Sequence, residues 1–225
     1  MSKILFIMTG AGAWTLKDGS KHPTGYWAEE AAVPYQEFTK AGHEVVVATP
    51  GGVVPPVDEG SLAGDAAKFR EVLDAAPEFK QPIALADVNL ADYAAVYVPG
   101  GHGPMEDLAV DARSGELLAA ALRAGTPLGV VCHGPAALLA AVDSDGRNAF
   151  AGYRVTAFTN AEETQAGHAA KAIWLLEDRL NEAGVKVEAG APWSSHVEVD
   201  RNLVTGQNPQ SSAAAAAALL KQLEA

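Results

Sequence analysis

The sequence has one cysteine, Cys132, among its 225 residues, so no disulfide can form within the chain. Histidine is also sparse, and its six copies show no spacing typical of a zinc site; they stand at positions 22, 43, 102, 133, 168 and 196. We therefore expect no metal and no other cofactor. The scarcity of cysteine fits a protein of the reducing cytoplasm.

Basic residues are few, at 16 against 28 acidic residues, and the formal net charge is -12. A surface of this sign repels phosphate backbones and anionic lipid headgroups, so we expect neither nucleic acid nor a membrane as a partner. Long hydrophobic runs are missing too. The run from Ile4 to Met8 is too short for the core of a secretory signal, and the alanine-rich run from Ala213 to Leu220 is too short to span a bilayer.

Composition and length favour one globular domain covering residues 1–225. Apolar residues make up 48% and charged residues 20%, which leaves enough apolar side chain for a continuous core. Short runs rich in valine and isoleucine alternate with helical patterns, as they do in repeated βαβ units. The sequence therefore predicts an α/β fold with a mainly parallel sheet and helices on both faces.

The same patterns place the elements along the chain. The predicted strands lie near 3–9, 44–49, 93–98, 127–131, 153–158 and 202–205. The predicted helices lie near 26–41, 65–75, 114–124, 134–142, 162–183 with an interruption, and 209–224. Three of these helices are predicted to end at glycines, namely Gly42, Gly125 and Gly184. The proline- and glycine-rich stretch 51–60 is predicted to be a surface loop.

Cys132 stands where the buried strand 127–131 meets a helical pattern, a context typical of a nucleophile on a sharp strand-to-helix turn. We expect a strained backbone there, with Gly134 leaving room for the chain to turn. The following helix would stabilise a thiolate and lower the pKa of Cys132, which makes this residue the candidate nucleophile. The alternative is an inert cysteine buried in the core.

A second glycine-rich turn, within 96–108, also follows an apolar strand. Its backbone N–H groups, at Gly101 above all, can face the same crevice and bind an oxyanion together with the N–H of His133. The alternatives are a plain tight turn and a phosphate cradle, although the Gly-x-Gly-x-x-Gly spacing of dinucleotide sites is missing.

The segments PGGHGPMEDL and VCHGPAALL together resemble the ThiJ/PfpI superfamily, whose fold is similar to that of class I glutamine amidotransferases. The segments GYWAEEAAVPYQEF, ATPGGVVPPVDEGS, VTAFTNAEE and PWSSHVEVDRNLVTGQNP resemble its subgroup of small heat-shock chaperones and glutathione-independent glyoxalases (glyoxalase III). This resemblance implies a flavodoxin-like, doubly wound sheet. It also implies a lyase of the hydro-lyase class that converts methylglyoxal to lactate with a catalytic cysteine. We consider a homodimer as its assembly.

The resemblance further implies a site built from a cysteine, the next histidine and two carboxylates. Here these are Cys132 and His133, Glu30 beside the sulfur, and Glu163 orienting the histidine. Glu162 competes with Glu163 for that role, whereas Glu29 would point away from the site on its helix. Glu106 departs from the glyoxalase-like pattern, in which an aromatic residue often follows the methionine, and this leaves the substrate preference open.

These residues can perform the implied reaction. A thiolate attacks the aldehyde carbon of a dicarbonyl to give a hemithioacetal, and Glu30 then moves a proton between the two carbons. Because two negative charges side by side are costly, we expect Cys132 and Glu30 to share one proton. His133, held by Glu163, would activate the water that releases the product.

Other interpretations remain open at this stage. His196 and Glu198 repeat the His-x-Glu spacing of amidotransferases, which would make the protein a glutamine hydrolase. A holdase chaperone, or a sensor in which Cys132 is oxidised, is a different class of function. Among the other histidines, His102 is expected to make a structural hydrogen bond. The remaining three are expected at the surface, at positions 22, 43 and 168.

Overall fold

A seven-stranded sheet forms the centre of the computed structural model, which describes residues 2–224. In chain order the strands are β1 (Lys3–Ile7), β2 (Ala13–Thr15), β3 (Lys21–Pro23), β4 (Glu44–Thr49), β5 (Ile83–Ala84), β6 (Ala95–Val98), β7 (Leu128–Val131), β8 (Arg154–Val155), β9 (Lys186–Val187), β10 (Val197–Asp200) and β11 (Leu203–Gly206). The order across the sheet is β10-β11-β7-β6-β1-β4-β5, and every neighbouring pair is parallel except β10 with β11. The predicted mainly parallel α/β sheet is confirmed.

Helices pack on both faces of this sheet, because its inner strands are apolar on both sides. The helices are α1 (Ala28–Lys40), α2 (Lys68–Ala75), α3 (Gly103–Glu106), α4 (Ala112–Ala124), α5 (Asn160–Gln165), α6 (Leu176–Glu182) and α7 (Ser212–Leu223). One core cluster joins Phe6 of β1 to Phe38 and Leu219 of α1 and α7, and the other joins Leu5 to Leu118 of α4. Within residues 2–224 no helix combines the length and apolar character needed to cross a membrane.

Most predicted elements are present with small shifts at their ends. The three glycines expected to end helices, Gly42, Gly125 and Gly184, have φ of 85°, 70° and 82°. Several helical patterns are completed by 3-10 turns: Gly64–Ala67 precedes α2, and Pro209–Ser211 precedes α7. The helix expected over 134–142 is itself a 3-10 helix, Gly134–Ala140. The loop expected over 51–60 is flanked by the short 3-10 turns Pro50–Gly52 and Glu59–Leu62.

The strand predicted over 153–158 is wrong in length and in place. Only β8 forms there, and it pairs with β9 in a separate two-stranded sheet. The chain beside it is held by side chains instead of a strand ladder: Arg154 N–H donates to Asp200 and Thr156 N–H donates to Thr205 Oγ1, at 2.9 and 2.8 Å. This path carries the chain from the sheet toward the segment that contains Glu163.

The 3-10 helix that follows Cys132 is packed closely against α4 at Gly115. A Cβ atom at Gly115 would lie 2.1 Å from the backbone oxygen of Ala140, at the end of that 3-10 helix. Backbone at both sides of this contact leaves no flexible atom to move. Gly115 therefore sets how closely α4 supports the segment after the cysteine.

We predict that Gly115→Ala lowers the free energy of unfolding by about 1–3 kcal/mol, because the clash outweighs the gain in helix propensity. Urea unfolding of the purified protein measures this change. Gly12→Ala is the matched control, since its Cβ would make ordinary contacts of 3.7 Å with Pro56. A more stable Gly115→Ala protein would contradict the packing argument.

Candidate active site

Cys132 occupies the strained turn that the sequence predicts. Its φ is 61°, a left-handed value that costs a non-glycine residue on the order of 1–3 kcal/mol. Two hydrogen bonds fix it there: Cys132 N–H donates to Gly206 O at 2.8 Å, and Phe158 N–H donates to Cys132 O at 2.9 Å. Gly134 is needed beside it, because a Cβ there would lie 2.6 Å from Val98 O.

The expected low pKa of Cys132 is contradicted. The sulfur is buried, and this burial raises the pKa of Cys132 well above its usual range, with a further rise from the adjacent Glu30 carboxyl. The backbone N–H groups of Gly101 and His133 point at the sulfur and oppose the shift without reversing it. The segment that follows is a short 3-10 helix, so it supplies less dipole than an α-helix would. The resting group is a thiol.

Glu30 lies beside the sulfur, as expected, in the first turn of α1. Its side chain is fully buried, its Oε2 accepts the Gly100 N–H at 2.7 Å, and the carboxyl lies next to the Cys132 side chain. Burial raises the pKa of Glu30 to about 8. Glu29 is only partly buried and does not enter this network. Carboxyl and thiol are therefore a coupled pair that resists holding two negative charges.

His133 connects the cysteine to a carboxylate. Its Nδ1 lies 3.3 Å from Cys132 Sγ, and its Nε2 lies 2.7 Å from Glu163 Oε2. Burial opposes the ionised form of Glu163, but the charge and hydrogen bonds of His133 and His102 outweigh it and hold the pKa of Glu163 well below its usual range. An ionised carboxylate only accepts, so Nε2 carries the proton and Nδ1 is free to accept one from the thiol.

A second histidine shares this carboxylate. His102 Nε2 lies 2.8 Å from Glu163 Oε1, and the His102 ring is stacked on Trp14 with centroids 4.4 Å apart. Burial and the neighbouring His133 lower the pKa of His102, although the hydrogen bond and charge of Glu163 oppose this shift. The sequence predicts a structural hydrogen bond for His102, but it does not predict that the partner is Glu163. The sequence feature that could have indicated this contact is the position of His102 in the turn Gly100–Gly103, beside the candidate oxyanion-binding residue Gly101.

The competing carboxylate, Glu162, has a different task. Its Oε2 accepts from the N–H and hydroxyl of Thr159, and its Oε1 accepts from Trp193 N–H and Asn208 Nδ2 at 2.9 and 2.8 Å. Glu162 thereby closes the capping box of α5 and ties the segment around Trp193 to it. Because these donors occupy both of its oxygens, it is Glu163 that faces His133.

The glycine-rich turn after β6 fits tightly against the elbow. A Cβ at Gly100 would lie 2.6 Å from His133 N and 2.8 Å from Glu30 Oε2, and Gly101 has φ of 89°. Gly100 N–H is bound by Glu30 and Gly103 N–H by Gly25 O, so few amides remain for a phosphate cradle. The N–H groups of Gly101 and His133 remain directed at the sulfur, where an oxyanion would form.

A cavity of roughly 240 Å³ opens onto the sulfur. Its residues are His22, Trp27, Asp58, Gly60, Gly101, His102, Cys132, His133, Phe158, Ala166, His168, Trp193 and Pro209. The expectation that His22 and His168 are plain surface residues is therefore wrong, since both are half-buried walls of this cavity. Strand β3 places His22 there, directly opposite Trp14 on β2. His43 is half-buried elsewhere.

Five rings form a continuous column through the site. Successive centroids from Trp14 to His102, His133, Phe158 and Trp193 are 4.4, 4.1, 4.4 and 5.4 Å apart. The two histidines that share Glu163 lie inside this column, and a tryptophan stands at each end. Aromatic packing and one carboxylate therefore fix both imidazoles at once.

The residues of the rival pair lie near each other but make no hydrogen bond with each other and do not reach the cysteine. His196 Nε2 and Glu198 Oε1 are 3.4 Å apart, whereas within residues 2–224 the histidine that contacts Cys132 is His133. Glu106, the departure from the glyoxalase-like pattern, accepts from Thr15 N–H and hydroxyl at 2.8 and 2.7 Å. It anchors the β2–β3 hairpin and does not line the cavity.

One group of side chains has the ligand types of a transition-metal site. The nitrogen and oxygen atoms of His102, His133 and Glu163 lie within 4.8 Å of one another. They are spaced as hydrogen-bond partners, at 2.7 and 2.8 Å, and each nitrogen is already paired with a carboxylate oxygen. A metal would have to displace both of these bonds, and the sequence led us to expect none.

Comparison with known proteins gives matches over most of the chain. A model of the DJ-1/PfpI family matches residues 24–222. The protein/nucleic acid deglycase HchA of Pseudomonas aeruginosa (strain UCBPP-PA14) is 33% identical over 93% of this chain and 77% of its own. Its counterpart in Staphylococcus aureus (strain Newman) is 29% identical, covering 93% and 76%. The name of both relatives includes nucleic acid, which runs against our expectation of no such partner.

Solved structures agree on the fold. The Rapid Encystment Protein 24 KDa of Francisella tularensis superposes with a TM-score of 0.90 at 30% identity, covering 99% of both chains. Glyoxalase III from Candida albicans superposes with a TM-score of 0.82 at 24% identity, covering 98% of this chain and 97% of that one. At that lower identity the likeness concerns the fold, and the flavodoxin-like architecture is confirmed.

We predict that Glu30→Gln lowers the pKa of the Cys132 thiol, because it removes the neighbouring carboxyl whose charge raises that pKa. The rate of alkylation by iodoacetamide, followed against pH, should therefore rise at a lower pH than in the native protein. Glu29→Gln is the neighbouring control and should leave the profile in place. An unchanged or higher midpoint in Glu30→Gln would show that the two groups are not coupled.

We predict that His102 acts on turnover through Glu163. With methylglyoxal, the substrate that the sequence resemblance implies, His102→Leu should lower kcat/KM by about 10- to 100-fold, since the carboxylate loses one of its two anchors. His102→Gln, whose amide can donate to the same oxygen, should keep most of the activity. Equal losses in both variants, with folding intact, would limit His102 to packing.

Proposed function

Because the chain belongs to the DJ-1/PfpI family, we propose that it is an enzyme that converts small reactive dicarbonyls such as methylglyoxal to hydroxyacids without glutathione. The observation that carries this proposal is the buried set of Cys132, Glu30, His133 and Glu163, of which Cys132 and His133 line one cavity. A strained cysteine between a base and a proton-transfer carboxyl suits addition to an aldehyde. We propose that residues 1–225 form one catalytic domain.

The first step forms a carbon–sulfur bond. The resting thiol gives its proton to His133 Nδ1, 3.3 Å away, as the sulfur attacks the aldehyde carbon. Glu163 stabilises the imidazolium that results, since its carboxylate accepts the Nε2–H. The aldehyde oxygen takes up the proton as the hemithioacetal forms, and the Gly101 and His133 amides stabilise the oxyanion before it does.

The second step moves hydrogen between carbons. Ionised Glu30 removes the proton from the former aldehyde carbon and returns one to the neighbouring carbon, so the hemithioacetal becomes a thioester of the hydroxyacid. Because the pKa of Glu30 is about 8, only part of the carboxyl is ionised at neutral pH. Water activated by His133 then cleaves the thioester, which releases lactate from methylglyoxal and restores the thiol. The sum is one dicarbonyl plus one water, with no external oxidant or reductant.

The name of these relatives, protein/nucleic acid deglycase, favours a second substrate class for the same chemistry, namely carbonyl adducts on protein or nucleic acid. On an amine adduct of methylglyoxal, the Cys132 sulfur would form its bond to the adduct carbon as the carbon–nitrogen bond breaks, and the thiol proton would leave with the amine. The hemithioacetal that results is the same one, and the same four residues would convert it. The net charge of -12 disfavours a polyanionic substrate, so an adduct on protein suits this chain better. A holdase needs a broad apolar surface. Of the seven large exposed apolar side chains among residues 2–224, five are valines, and Val110, Val142 and Val199 each stand alone in the sequence.

We predict that Cys132→Ser, Glu30→Gln and the double variant all reduce lactate formation from methylglyoxal to nearly the same low floor, because the residues act as a unit. Lactate is measured without glutathione, beside suppression of client aggregation by the same proteins. Glu29→Gln is the control for the loss of one acidic residue from α1. Full lactate formation without Cys132 would overturn the proposal, and aggregation suppression that survives in every variant would then favour the chaperone.

A further inference from the structure

The cavity is larger than methylglyoxal requires. Its volume is roughly 240 Å³, whereas methylglyoxal has only five non-hydrogen atoms. The reacting atoms, Cys132 and His133, occupy one end. The remaining space can hold a larger substituent on the dicarbonyl, and the chemistry of the walls indicates which one.

Trp193 forms the outer wall and is held there at some cost. Its φ is 60° and 39% of its surface is exposed, an unfavourable state for a large apolar residue. Three contacts hold it: its N–H donates to buried Glu162 Oε1 at 2.9 Å, its indole N–H donates to Gln165 at 2.6 Å, and its ring meets Phe158 edge-on at 5.4 Å. The structure therefore holds the Trp193 ring in place as part of the cavity wall, despite its strained backbone and its exposure.

Two further rings extend this surface to the reacting atoms. Phe158 lies 4.4 Å from the His133 ring, centroid to centroid. Trp27 lines the same cavity, and its N–H donates to Gly100 O at 3.0 Å, which ties this wall to the turn that carries Gly101. An aromatic lining thus runs from the cavity mouth to the sulfur.

The charge of the cavity lining also limits which substituents can bind. Within residues 2–224, the cavity lining includes Asp58 but no lysine or arginine. Burial, followed by the neighbouring His102, lowers the pKa of His168, so this wall is not a stable cation. A substituent with a carboxylate or phosphate would meet no positive partner.

We infer that the cavity selects α-oxoaldehydes that carry a neutral, planar aromatic substituent, and that Trp193 is a specificity-determining residue for them. The inference rests on the proposed function for its chemistry, since the aldehyde must still meet Cys132. The aromatic ring packs against Trp193, Phe158 and Trp27, where planar rings stack favourably in offset or edge-on arrangements. Methylglyoxal offers only a methyl group to the same walls.

The test compares phenylglyoxal with methylglyoxal, measured as mandelate and lactate formed without glutathione. The native protein should show a kcat/KM for phenylglyoxal at least about tenfold higher. Trp193→Ala should reduce this ratio severalfold, mainly through a higher KM for phenylglyoxal. Trp174→Ala is the matched control, because Trp174 packs on the other core cluster and against Arg179, away from the cavity, and the ratio should stay at its native value.

A ratio below one in the native protein, or one that Trp193→Ala leaves unchanged, overturns the inference. A separate measurement covers the case in which neither substrate is turned over. Calorimetric titration of Cys132→Ser with acetophenone, an unreactive aryl ketone, should show binding that the added Trp193→Ala change weakens. Such binding without turnover would refute the proposed function and keep the cavity's selectivity, whereas no binding would refute the selectivity as well.

Discussion

One buried carboxylate, Glu163, determines the geometry of the site. Its two oxygens accept from two imidazoles, His133 at 2.7 Å and His102 at 2.8 Å, so neither ring can turn without losing a charge-assisted bond. Fixing Nε2 of His133 in this way directs its Nδ1 at the cysteine. The position of Glu163 is in turn set by α5, whose first turn is closed by the adjacent Glu162. The proton acceptor of the nucleophile therefore depends on a helix cap some thirty residues along the chain.

Three buried glutamates have different pKa values because their surroundings differ. Glu30 finds a backbone amide and a thiol, and burial raises its pKa to about 8. Glu163 finds two imidazoles, and Glu162 finds amide and hydroxyl donors, which hold both pKa values below the ordinary range despite burial. Only Glu30 is thus poised to exchange a proton near neutral pH, and it is the one beside the sulfur.

The sequence predicted the sheet and the elbow well because both depend on local pattern. Apolar runs located β1, β4, β6 and β7, and the junction at Cys132 was evident from its strand, its neighbours and Gly134. The predictions from sequence are wrong where contacts between residues far apart in the chain determine the structure. The strand expected over 153–158 is replaced by side-chain bonds to Asp200 and Thr205. The pKa of Cys132 was given the wrong sign, since burial and the approach of Glu30 follow from tertiary packing.

The ring column has an optical consequence. Two of the four tryptophans, Trp14 and Trp193, stand at its ends, with His102 and His133 between them. An imidazole that gains a proton becomes a quencher of indole emission, so the charge state of the paired histidines is reported by fluorophores that the chain already carries. Replacing Trp27 and Trp174 by phenylalanine would leave those two emitters alone. The protein would then signal protonation within its own site without any attached dye.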